Sequence, residues 1–399
     1  MELTIVVPVL DEEGSVERVA RGCLDARAKI VAQTGLDDVH VVVVSDGSTD
    51  RTVQIAQSIE GIHTVVFEHN QGYGAAIQRG WAEKPADLLG FLDGDGTCDP
   101  AFFATLVTTL QREDADITLG SRMGPDSQMP AVRRLGNWLF ASLLGLLART
   151  PIKDSASGMR VVRRSALPRL LPLPTGLHFT PAMSARAVLD GLKLVEVPMP
   201  YAEREGRSKL SVLRDGLRFL MVILAAAAYL RPSRLSFPLI GLLLLASLAL
   251  GVGPSSYYLA NAHLDEGMIY RFLFVALLAD VGVLLFCATL VAEHTIAIGL
   301  LRYGRFAREA PWWWGTRGLR LYTWLSALAV LVGAVLVWPG VVSLWQTGAI
   351  PSDVMHWSRV IVAGFAALTF VQIVCTRLLV GLLGPLEERQ RLLVTERAP

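Results

Sequence analysis

The first half of the chain alternates short apolar runs with stretches of mixed polarity. The apolar runs predict strands at 5–9, 39–44, 63–67, 88–92 and 116–119. The stretches between them predict helices at about 15–31, 51–59, 75–81 and 102–112. Val, Ile and Leu strands that alternate with helices are typical of a mostly parallel sheet covered on both faces. The pattern therefore predicts an α/β domain.

Four long apolar runs occupy much of the second half of the chain. They lie at about 235–252, 269–292, 321–338 and 360–383. Each approaches the roughly 20 residues that a helix needs to cross a bilayer. Only the second run has an ionisable residue near its middle, Asp280, which we expect to cap or pair within the helix bundle.

The segment just before these runs has a different pattern. Residues 219–230 are apolar but lie between Arg218 and Arg231, which leaves too few residues to cross a bilayer. We predict that 211–230 is a helix on the membrane surface, with a core helix of the first domain as the alternative. The predicted organisation is a domain at 1–210, a juxtamembrane helix at 211–234, four transmembrane helices within 235–384 and a tail at 385–399.

The distribution of arginine predicts how the helices are oriented. The loops at 253–268 and 339–355 contain no Lys or Arg, whereas the loop after the second run and the C-terminal region are rich in Arg. Positive residues favour the cytoplasmic side in short loops. The pattern predicts a multi-pass protein of the plasma membrane, with the first domain and both termini in the cytoplasm.

Composition and charge exclude several classes of protein. The chain is 52% hydrophobic and 18% charged, which fits a soluble domain joined to a membrane domain. A net charge of +1, without interleaved basic and aromatic residues, gives no indication of nucleic-acid binding. The four cysteines are scattered and predict neither a disulfide framework nor a cysteine metal site.

Polar residues follow each of the predicted strands. These clusters are Asp11-Glu12, Ser45-Asp46-Gly47-Ser48, Asn70-Gln71-Gly72, Asp93-Gly94-Asp95 and Ser121-Arg122. Ligands of parallel α/β sheets bind beyond the carboxyl ends of the strands, so we expect the clusters to converge. Two carboxylates after a buried strand, as at 93 and 95, are costly without compensation. A divalent cation shared with substrate phosphates would compensate them, and a solvated turn is the alternative.

The order of these motifs resembles that of a known class of enzyme. The segments 7–13, 45–52, 70–76 and 93–95 resemble signatures of inverting glycosyltransferases with the GT-A fold. Gly120-Ser121-Arg122, 154–160 and 206–210 narrow the resemblance to polyprenyl-phosphate glycosyltransferases, the family of dolichyl-phosphate mannose synthase. The resemblance covers about residues 3–212.

This resemblance implies a Rossmann-like GT-A catalytic domain and the transfer of a single sugar with inversion. The implied donor is a GDP- or UDP-sugar, with mannose or glucose as the first candidates for the sugar. The implied acceptor is dolichyl or undecaprenyl phosphate. Mg²⁺ or Mn²⁺ is the implied cofactor. The resemblance is compatible with a homo-oligomer. The alternatives are a transferase with another membrane glycolipid or polysaccharide as acceptor, a dinucleotide-binding module built on Gly72-Tyr73-Gly74, and a non-catalytic transporter or scaffold.

The resemblance also implies roles for individual residues. The implied nucleotide-sugar-binding residues are Pro8, Leu10, Glu12, Val44, Asp46 and Gly94. The implied metal ligands are Asp93, Asp95 and Thr97. The implied catalytic residues are Asp93, Asp95 and Arg122. The implied acceptor-phosphate residues are Ser121, Arg122, Arg133, Asn137, Arg204, Ser208 and Lys209.

The chemistry of the implied acceptor explains why no general base stands out. A phosphate monoester is largely ionised at neutral pH, because its second pKa is about 6. Catalysis then reduces to alignment and neutralisation of charge, for which guanidinium groups are suited. Tyr73 and Thr97 stand where the family often has Lys and Gln, which leaves the donor and metal contacts open. Contact with phospholipid headgroups is the alternative role for Arg133, Arg134, Lys209 and Arg214.

Overall fold

The protein consists of two compact units, Met1–Leu230 and Arg231–Pro399. The computed structural model describes residues 1–125, 127–202, 211–261, 264–301, 316–351 and 354–395. Three residues predicted to bind the acceptor phosphate, Arg204, Ser208 and Lys209, lie outside these ranges.

The described part of the first unit is built around a seven-stranded sheet. Its strands are β1 Glu2–Val9, β2 Asp38–Ser45, β3 His63–Val66, β4 Leu88–Phe91, β5 Ile117–Ser121, β6 Arg160–Arg163 and β7 Leu194–Pro198. They lie in the order β3-β2-β1-β4-β6-β5-β7, and β6 runs antiparallel to both of its neighbours while the other pairs are parallel. The predicted α/β class with a mostly parallel sheet is confirmed.

Two strands were not predicted from the sequence. Strand β6 is only four residues long and has arginine at both ends, so it lacks an apolar run. Strand β7, LVEVP, is interrupted by Glu196 and ends in proline. Both gain their place from backbone pairing with β4 and β5, which is a tertiary relationship that a local pattern does not report.

Helices cover both faces of the sheet. Those of the first unit are α1 Val16–Thr34, α2 Thr52–Gln57, α3 Tyr73–Glu83, α4 Phe103–Arg112, α5 Ala131–Ala148, α6 Leu167–Leu170, α7 Phe179–Asp190 and α8 Val212–Leu230. Helix α1 is longer than predicted and ends at Gly35, which has a φ of 69° in the left-handed region that favours glycine. Helices α5 and α7 were not predicted from the sequence.

Side chains of β1 alternate between the two layers of the core. Leu3, Ile5 and Val7 pack with α1 and α4 on one face, whereas Val6 packs with α3 and α7 on the other. Because successive side chains of a strand point to opposite faces, an uninterrupted apolar strand fills both layers. Full burial of such a side chain contributes about 1.5–3 kcal/mol, so β1 is a major source of stability for the unit.

Helix α8 packs against the first unit while keeping an apolar outer face. Phe219, Ile223 and Ala227 are buried, and the ring of Phe219 lies edge-to-face at 5.9 Å from Phe140 of α5. Leu217 and Met221, one helical face away, are exposed. One face therefore belongs to the core of the first unit, and the other has the apolar character predicted for a membrane-surface helix.

The described part of the second unit contains four long apolar helices. They are α9 Pro232–Asn261, α10 Ile269–Leu301, α11 Thr316–Thr347 and α12 Trp357–Thr395. Each is long and apolar enough to cross a membrane, as predicted, and each extends beyond its apolar run. Asp280 of α10 accepts a hydrogen bond from Nε2 of Gln372 on α12 at 3.0 Å, so it pairs within the bundle as expected.

Candidate active site

A cavity of about 600 Å³ lies at the carboxyl ends of β1, β2, β4 and β5 in the first unit. Its other walls come from α5, α8 and the loops that precede β6 and α7. The predicted convergence of polar strand ends therefore occurs. Of the predicted site residues, those that line the cavity are Pro8, Leu10, Glu12, Asp46, Asp93, Gly94, Asp95, Arg122, Arg133 and Asn137.

One side of the cavity is acidic. Glu12, Asp46, Asp93 and Asp95 follow β1, β2 and β4, which are neighbours in the sheet, so their carboxyl groups share one edge. The opposite side is basic, with Arg122 after β5, Arg133 on α5 and Arg218 on α8. Strand β6 separates β4 from β5 and therefore keeps the two sets of charges on different halves of the sheet edge.

Asp46 holds the loop that follows β3. Its Oδ1 accepts hydrogen bonds from the backbone N–H of Gln71 at 2.7 Å and of Gly72 at 3.0 Å. Asp46 is nearly fully buried, and such charge-assisted bonds are what permit a buried carboxylate. The residue therefore shapes the donor side of the cavity as well as lining it.

Asp93 is oriented by two residues distant from it in the sequence. The hydroxyl of Tyr73 donates to Oδ1 of Asp93 at 2.6 Å. On the other side, a Cβ atom on Gly158 would lie 2.0 Å from Oδ2, so only glycine leaves room for this carboxylate. Burial and the neighbouring Asp93 raise the pKa of Tyr73 well above its ordinary value, so the phenol keeps its proton and acts as the donor.

Asp95 is more deeply buried, at 8% exposure, and is held by Thr97. The Thr97 hydroxyl donates to Oδ1 of Asp95 at 2.7 Å, and the Thr97 backbone N–H donates to the same atom at 3.2 Å. Thr97 does not line the cavity. Its observed contact is with the carboxylate, which differs from the direct metal ligand predicted for this position.

The donor set fits a hard divalent cation. Asp93 and Asp95 both line the cavity and offer carboxylate oxygens, the ligands that Mg²⁺ prefers. Gly94 between them is required, because a Cβ there would lie 2.6 Å from Val9. The described residues contain no group of three His, Cys, Asp or Glu side chains arranged to hold a metal. A cation here would therefore need further oxygen ligands from outside the protein, such as those of a diphosphate.

Arg122 is tied to a buried carboxylate. Its Nε and Nη2 donate to the two oxygens of Asp154, each at 2.9 Å, and Asp154 is 0% exposed. Burial by itself opposes the charge on both groups, but the mutual attraction prevails, so the pKa of Arg122 is raised and that of Asp154 is lowered. The predicted catalytic arginine therefore lines the cavity, and two of its nitrogens already donate to Asp154.

Further contacts hold this arginine in place. Glu196 of β7 accepts hydrogen bonds from the backbone N–H groups of Lys153 and Asp154 at 2.7–3.0 Å. The guanidinium also lies over the ring of Tyr201, 5.6 Å from its centroid. Burial raises the pKa of Glu196. The Arg122 position therefore depends on β5, β7 and the loop before β6 together.

Three predicted site residues pack or hydrogen-bond with other groups of the protein. Val44 is buried in the core beside α3 and does not line the cavity. Ser121 is buried on β5, also away from the lining. Asn137 lines the cavity, but its amide donates to the carbonyl of Lys153 and accepts from the hydroxyl of Ser155, each at 3.3 Å. These contacts anchor the loop that carries Asp154.

Adjacent arginines of α5 have different environments. Arg133 lines the cavity, whereas Nη2 of Arg134 donates to the carbonyl of Gly124 at 2.9 Å. The sequence alone does not distinguish the two. Tyr73 and Tyr201 were not predicted as site residues, although Tyr73 lies inside a quoted motif, and neither was Arg218, which the sequence indicated only as the polar boundary of an apolar segment.

The N-terminus of α3, which begins at Tyr73, is not free to bind a dinucleotide. The N–H groups of Gly74 and Ala75 at the start of α3 both donate to the carbonyl of Thr175, at 2.6 and 3.1 Å. A dinucleotide site uses such N–H groups to bind pyrophosphate. Because they are already satisfied, the dinucleotide-binding alternative is wrong for this helix terminus.

Comparison with known proteins identifies relatives for this domain. Residues 4–171 match the family described as Glycosyl transferase family 2. The chain is 32% identical over 256 residues to the low-salt glycan biosynthesis hexosyltransferase Agl6 of Haloferax volcanii, covering 62% of this chain and 58% of that protein. It is 30% identical over 220 residues to a dolichyl-phosphate hexose transferase of the same organism, covering 54% of this chain and 89% of that protein.

Other relatives are more distant. A dodecaprenyl-phosphate galacturonate synthase of Rhizobium johnstonii is 26% identical over 237 residues, which is 58% of this chain and 68% of that protein. Among solved structures, glucosyl-3-phosphoglycerate synthase from Mycobacterium tuberculosis with Mn²⁺, UDP and phosphoglyceric acid has a TM-score of 0.44 and 21% identity, over 56% of this chain and 78% of that chain.

Proposed function

Because the chain belongs to glycosyl transferase family 2, we propose that it transfers one sugar from a nucleotide-sugar to a polyprenyl phosphate, with inversion at the anomeric carbon. Membership of the family confirms the glycosyltransferase predicted from the motifs and, with the mostly parallel sheet, the GT-A fold class. The proposed donor is a GDP- or UDP-sugar, with mannose or glucose as the first candidates for the sugar. The proposed acceptor is dolichyl or undecaprenyl phosphate.

One observation carries this proposal. A single cavity has carboxylates from β1, β2 and β4 on one side and guanidinium groups from β5, α5 and α8 on the other. Donor and acceptor are both anionic, so each needs its own means of charge neutralisation within reach of the other. The relatives named for dolichyl-phosphate and dodecaprenyl-phosphate substrates support the choice of acceptor.

On the donor side, we assign Glu12 and Asp46 to hydrogen bonds with the nucleoside, beside Pro8 and Leu10. Asp93 and Asp95 would hold Mg²⁺ or Mn²⁺ on the diphosphate. A bound divalent cation stabilises the negative charge that develops on a nucleoside diphosphate leaving group. The residues themselves orient the donor, and Tyr73 and Gly158 fix the direction of Asp93.

On the acceptor side, we assign Arg122 and Arg133 to the phosphate. An ionised phosphate oxygen is already a nucleophile, so the arginines need only align it with the anomeric carbon opposite the leaving group. Met129, Phe140 and Phe219 also line the cavity and give it an apolar wall. Four helices able to cross a membrane fit an enzyme whose acceptor is a lipid. We propose a plasma-membrane location with the catalytic unit in the cytoplasm.

The test is sugar transfer by the purified full chain in detergent. Radiolabelled GDP- and UDP-sugars are supplied with undecaprenyl or dolichyl phosphate, with Mn²⁺, Mg²⁺ or EDTA. We expect metal-dependent label in a lipid fraction, and the opposite anomeric configuration in the product by NMR. Asp95→Asn should abolish transfer. Asp99→Asn is the matched control, because Asp99 is exposed, lies outside the cavity and keeps a side-chain oxygen that can cap Ala101.

The other outcomes are also informative. Metal-dependent hydrolysis of a donor without lipid labelling would indicate a different membrane acceptor, such as a glycolipid or polysaccharide. Turnover of no donor, by a protein that unfolds cooperatively, would overturn the proposed activity.

A further inference from the structure

Helix α8 contributes a charged residue to the catalytic cavity. Arg218 lines the cavity together with Gly216 and Phe219 of the same helix. Its side chain is 54% exposed, and it belongs to the basic side formed with Arg122 and Arg133. The segment was predicted as a membrane-surface helix, a role that assigns no contact with the substrate.

A buried carboxylate fixes the direction of this arginine. Oδ1 of Asp215 accepts a hydrogen bond from Nη1 of Arg218 at 3.2 Å, and Asp215 is 1% exposed. Oδ2 of Asp215 accepts the backbone N–H of Ser211 at 2.7 Å, at the start of α8. The N-terminal end of a helix favours an anion. The negative charge of Asp215 is therefore stabilised both by Arg218 and by the start of α8. Arg218 is thereby tethered by one nitrogen of its five-donor fork.

Among the described lining residues, the other two arginines offer a phosphate dianion only part of their N–H donors. Arg122 has Nε and Nη2 committed to Asp154, so one nitrogen, Nη1, carries neither of these bonds. Arg133 adds a second guanidinium. A phosphate monoester carries a charge of about −1.5 to −2 and three acceptor oxygens, which suit a third donor group.

The surroundings of Arg218 suit an anion with an apolar tail. Phe219, the next residue, lies edge-to-face at 5.9 Å from Phe140 of α5, and both line the cavity. Val132 and Met129 extend this apolar wall. A free phosphate or a sugar phosphate would gain nothing from such a wall, whereas burial of isoprenoid carbons there is favourable.

We infer that Arg218 binds the phosphate of the prenyl acceptor between α5 and α8, together with Arg133. This inference rests on the proposed function and names a residue that neither the motifs nor the family relationship assigned. It gives α8 a direct part in acceptor recognition. Helix α8 would thus connect the catalytic cavity to the first candidate span, α9, which begins two residues after α8 ends.

The test measures binding of farnesyl phosphate to the full chain in detergent, by calorimetry and without donor. Arg218→Gln removes the charge, and Arg214→Gln is the matched control, because Arg214 is exposed on the same helix and does not line the cavity. We expect Arg218→Gln to weaken binding about ten- to a hundredfold, the range for loss of a charged hydrogen bond. Arg218→Lys should lose less, and Arg214→Gln should bind like the wild type.

Steady-state kinetics provide a second readout. Arg218→Gln should raise the KM for the prenyl phosphate by a similar factor and leave the KM for the nucleotide-sugar within about twofold. Equal effects on both substrates, or a lowered melting temperature that accounts for the loss, would indicate a structural role and overturn the inference.

Three further outcomes separate the possible failures. If wild type binds farnesyl phosphate and Arg218→Gln binds it equally well, the inference is wrong while the proposed function stands. If Arg218→Gln impairs only association with phosphatidylglycerol vesicles, the residue contacts lipid headgroups, and the inference is again wrong. If the wild type binds a nucleotide-sugar but no prenyl phosphate, the proposed acceptor fails and the inference fails with it.

Discussion

The hydroxyl of Tyr73 lies 2.6 Å from Oδ1 of Asp93, although the two residues belong to different βα units of the sheet. The ring of Tyr73 packs edge-to-face with Phe179 of α7 at 6.4 Å, which fixes the position of the hydroxyl. The phenol stays protonated because burial and Asp93 raise its pKa. This contact fixes the orientation of the Asp93 carboxylate, one of the two in the Asp93-Gly94-Asp95 motif.

Replacement of Tyr73 by phenylalanine should therefore disturb the metal site without disturbing the core. The ring contacts remain, while Asp93 loses a hydrogen bond of the kind worth about 1.5–3 kcal/mol. We expect Mn²⁺ affinity, measured by electron paramagnetic resonance in the presence of nucleoside diphosphate, to change about tenfold or more. Tyr229→Phe, on the exposed side of α8, is the control. An unchanged Mn²⁺ affinity would contradict a positioning role for Tyr73.

Gly158 should tolerate no side chain. A Cβ atom there would lie 2.0 Å from Oδ2 and 2.4 Å from Cγ of Asp93, so Gly158→Ala must displace the carboxylate. We expect loss of nucleotide-sugar binding and of activity with a largely preserved fold. Gly14→Ala is the matched control, because nothing lies within 4 Å of a Cβ atom placed on Gly14. Binding by Gly158→Ala at wild-type affinity would show that Asp93 is not needed in its observed orientation.

Asp154 should make stability depend on pH. Burial opposes its ionisation, but Arg122 holds the pKa of Asp154 below its ordinary value in the folded state. A depressed carboxyl pKa stabilises the fold above the unfolded value of about 3.9, and this contribution is lost as the pH falls through the folded value. We expect Asp154→Ala to lower the free energy of unfolding by about 3–5 kcal/mol at neutral pH, because Arg122 remains buried and unpaired.

The comparison is made by denaturant unfolding at neutral pH and at about pH 3.5, where the wild type should lose part of this stability and the variant less. Glu17→Gln is the control. It breaks an exposed pair with Arg21 and should cost less than about 1 kcal/mol. Equal acid sensitivity of wild type and Asp154→Ala would exclude Asp154 as the source.

Gly136 provides a way to fill the cavity without strain. It lies on the lining face of α5, and nothing lies within 4 Å of a Cβ placed there. Gly136→Ala should stabilise the helix by about 0.5–1 kcal/mol. Gly136→Leu should occupy acceptor space and raise the KM for prenyl phosphate more than the KM for the donor. Unchanged acceptor kinetics in Gly136→Leu would place the acceptor elsewhere.

The pKa of His178 reports where Arg218 points. Burial is the main cause that lowers this pKa, and the positive charge of Arg218 lowers it further. Arg218→Gln should therefore raise the pKa of His178 toward its ordinary value of about 6.5, as measured by NMR titration. The resonance is assigned by its loss in His178→Gln. A pKa that does not move would mean that the guanidinium points away from the start of α7.

Local pattern was sufficient for much of the first unit. The Val-rich run of β2 and the short apolar run of β4 are strands because their side chains fill both core layers. The carboxylates that follow them line the cavity, since parallel strands end at the same edge. The sequence pattern did not predict β6, because this strand is short and has a charged residue at each end. Its antiparallel position between β4 and β5 is set only by backbone pairing with these two strands.

The site was predicted in outline and less well in its contacts. Asp93, Asp95 and Arg122 belong to motifs whose chemistry is readable from residue type and position after a strand. Val44 was expected at the donor site, but it lies one residue before the end of β2 and packs in the core beside α3, away from the cavity lining. The metal-ligand role predicted for Thr97 stays a prediction, and its observed contact is with Asp95.

By itself, the sequence determined the α/β class, the four apolar helices, the glycosyltransferase family and the acidic edge of the cavity. The class and the apolar helices depend on composition and short-range periodicity, which act over a few residues. The acidic edge follows from the carboxylates after the strands, and the family followed from the resemblance of its ordered motifs. Only the tertiary structure decided that Tyr73 and Gly158 meet Asp93, that Asp154 pairs with Arg122 and that Arg218 enters the cavity from α8. Such contacts join residues far apart in the chain, and their distances follow from strand order and helix packing, which local pattern does not specify.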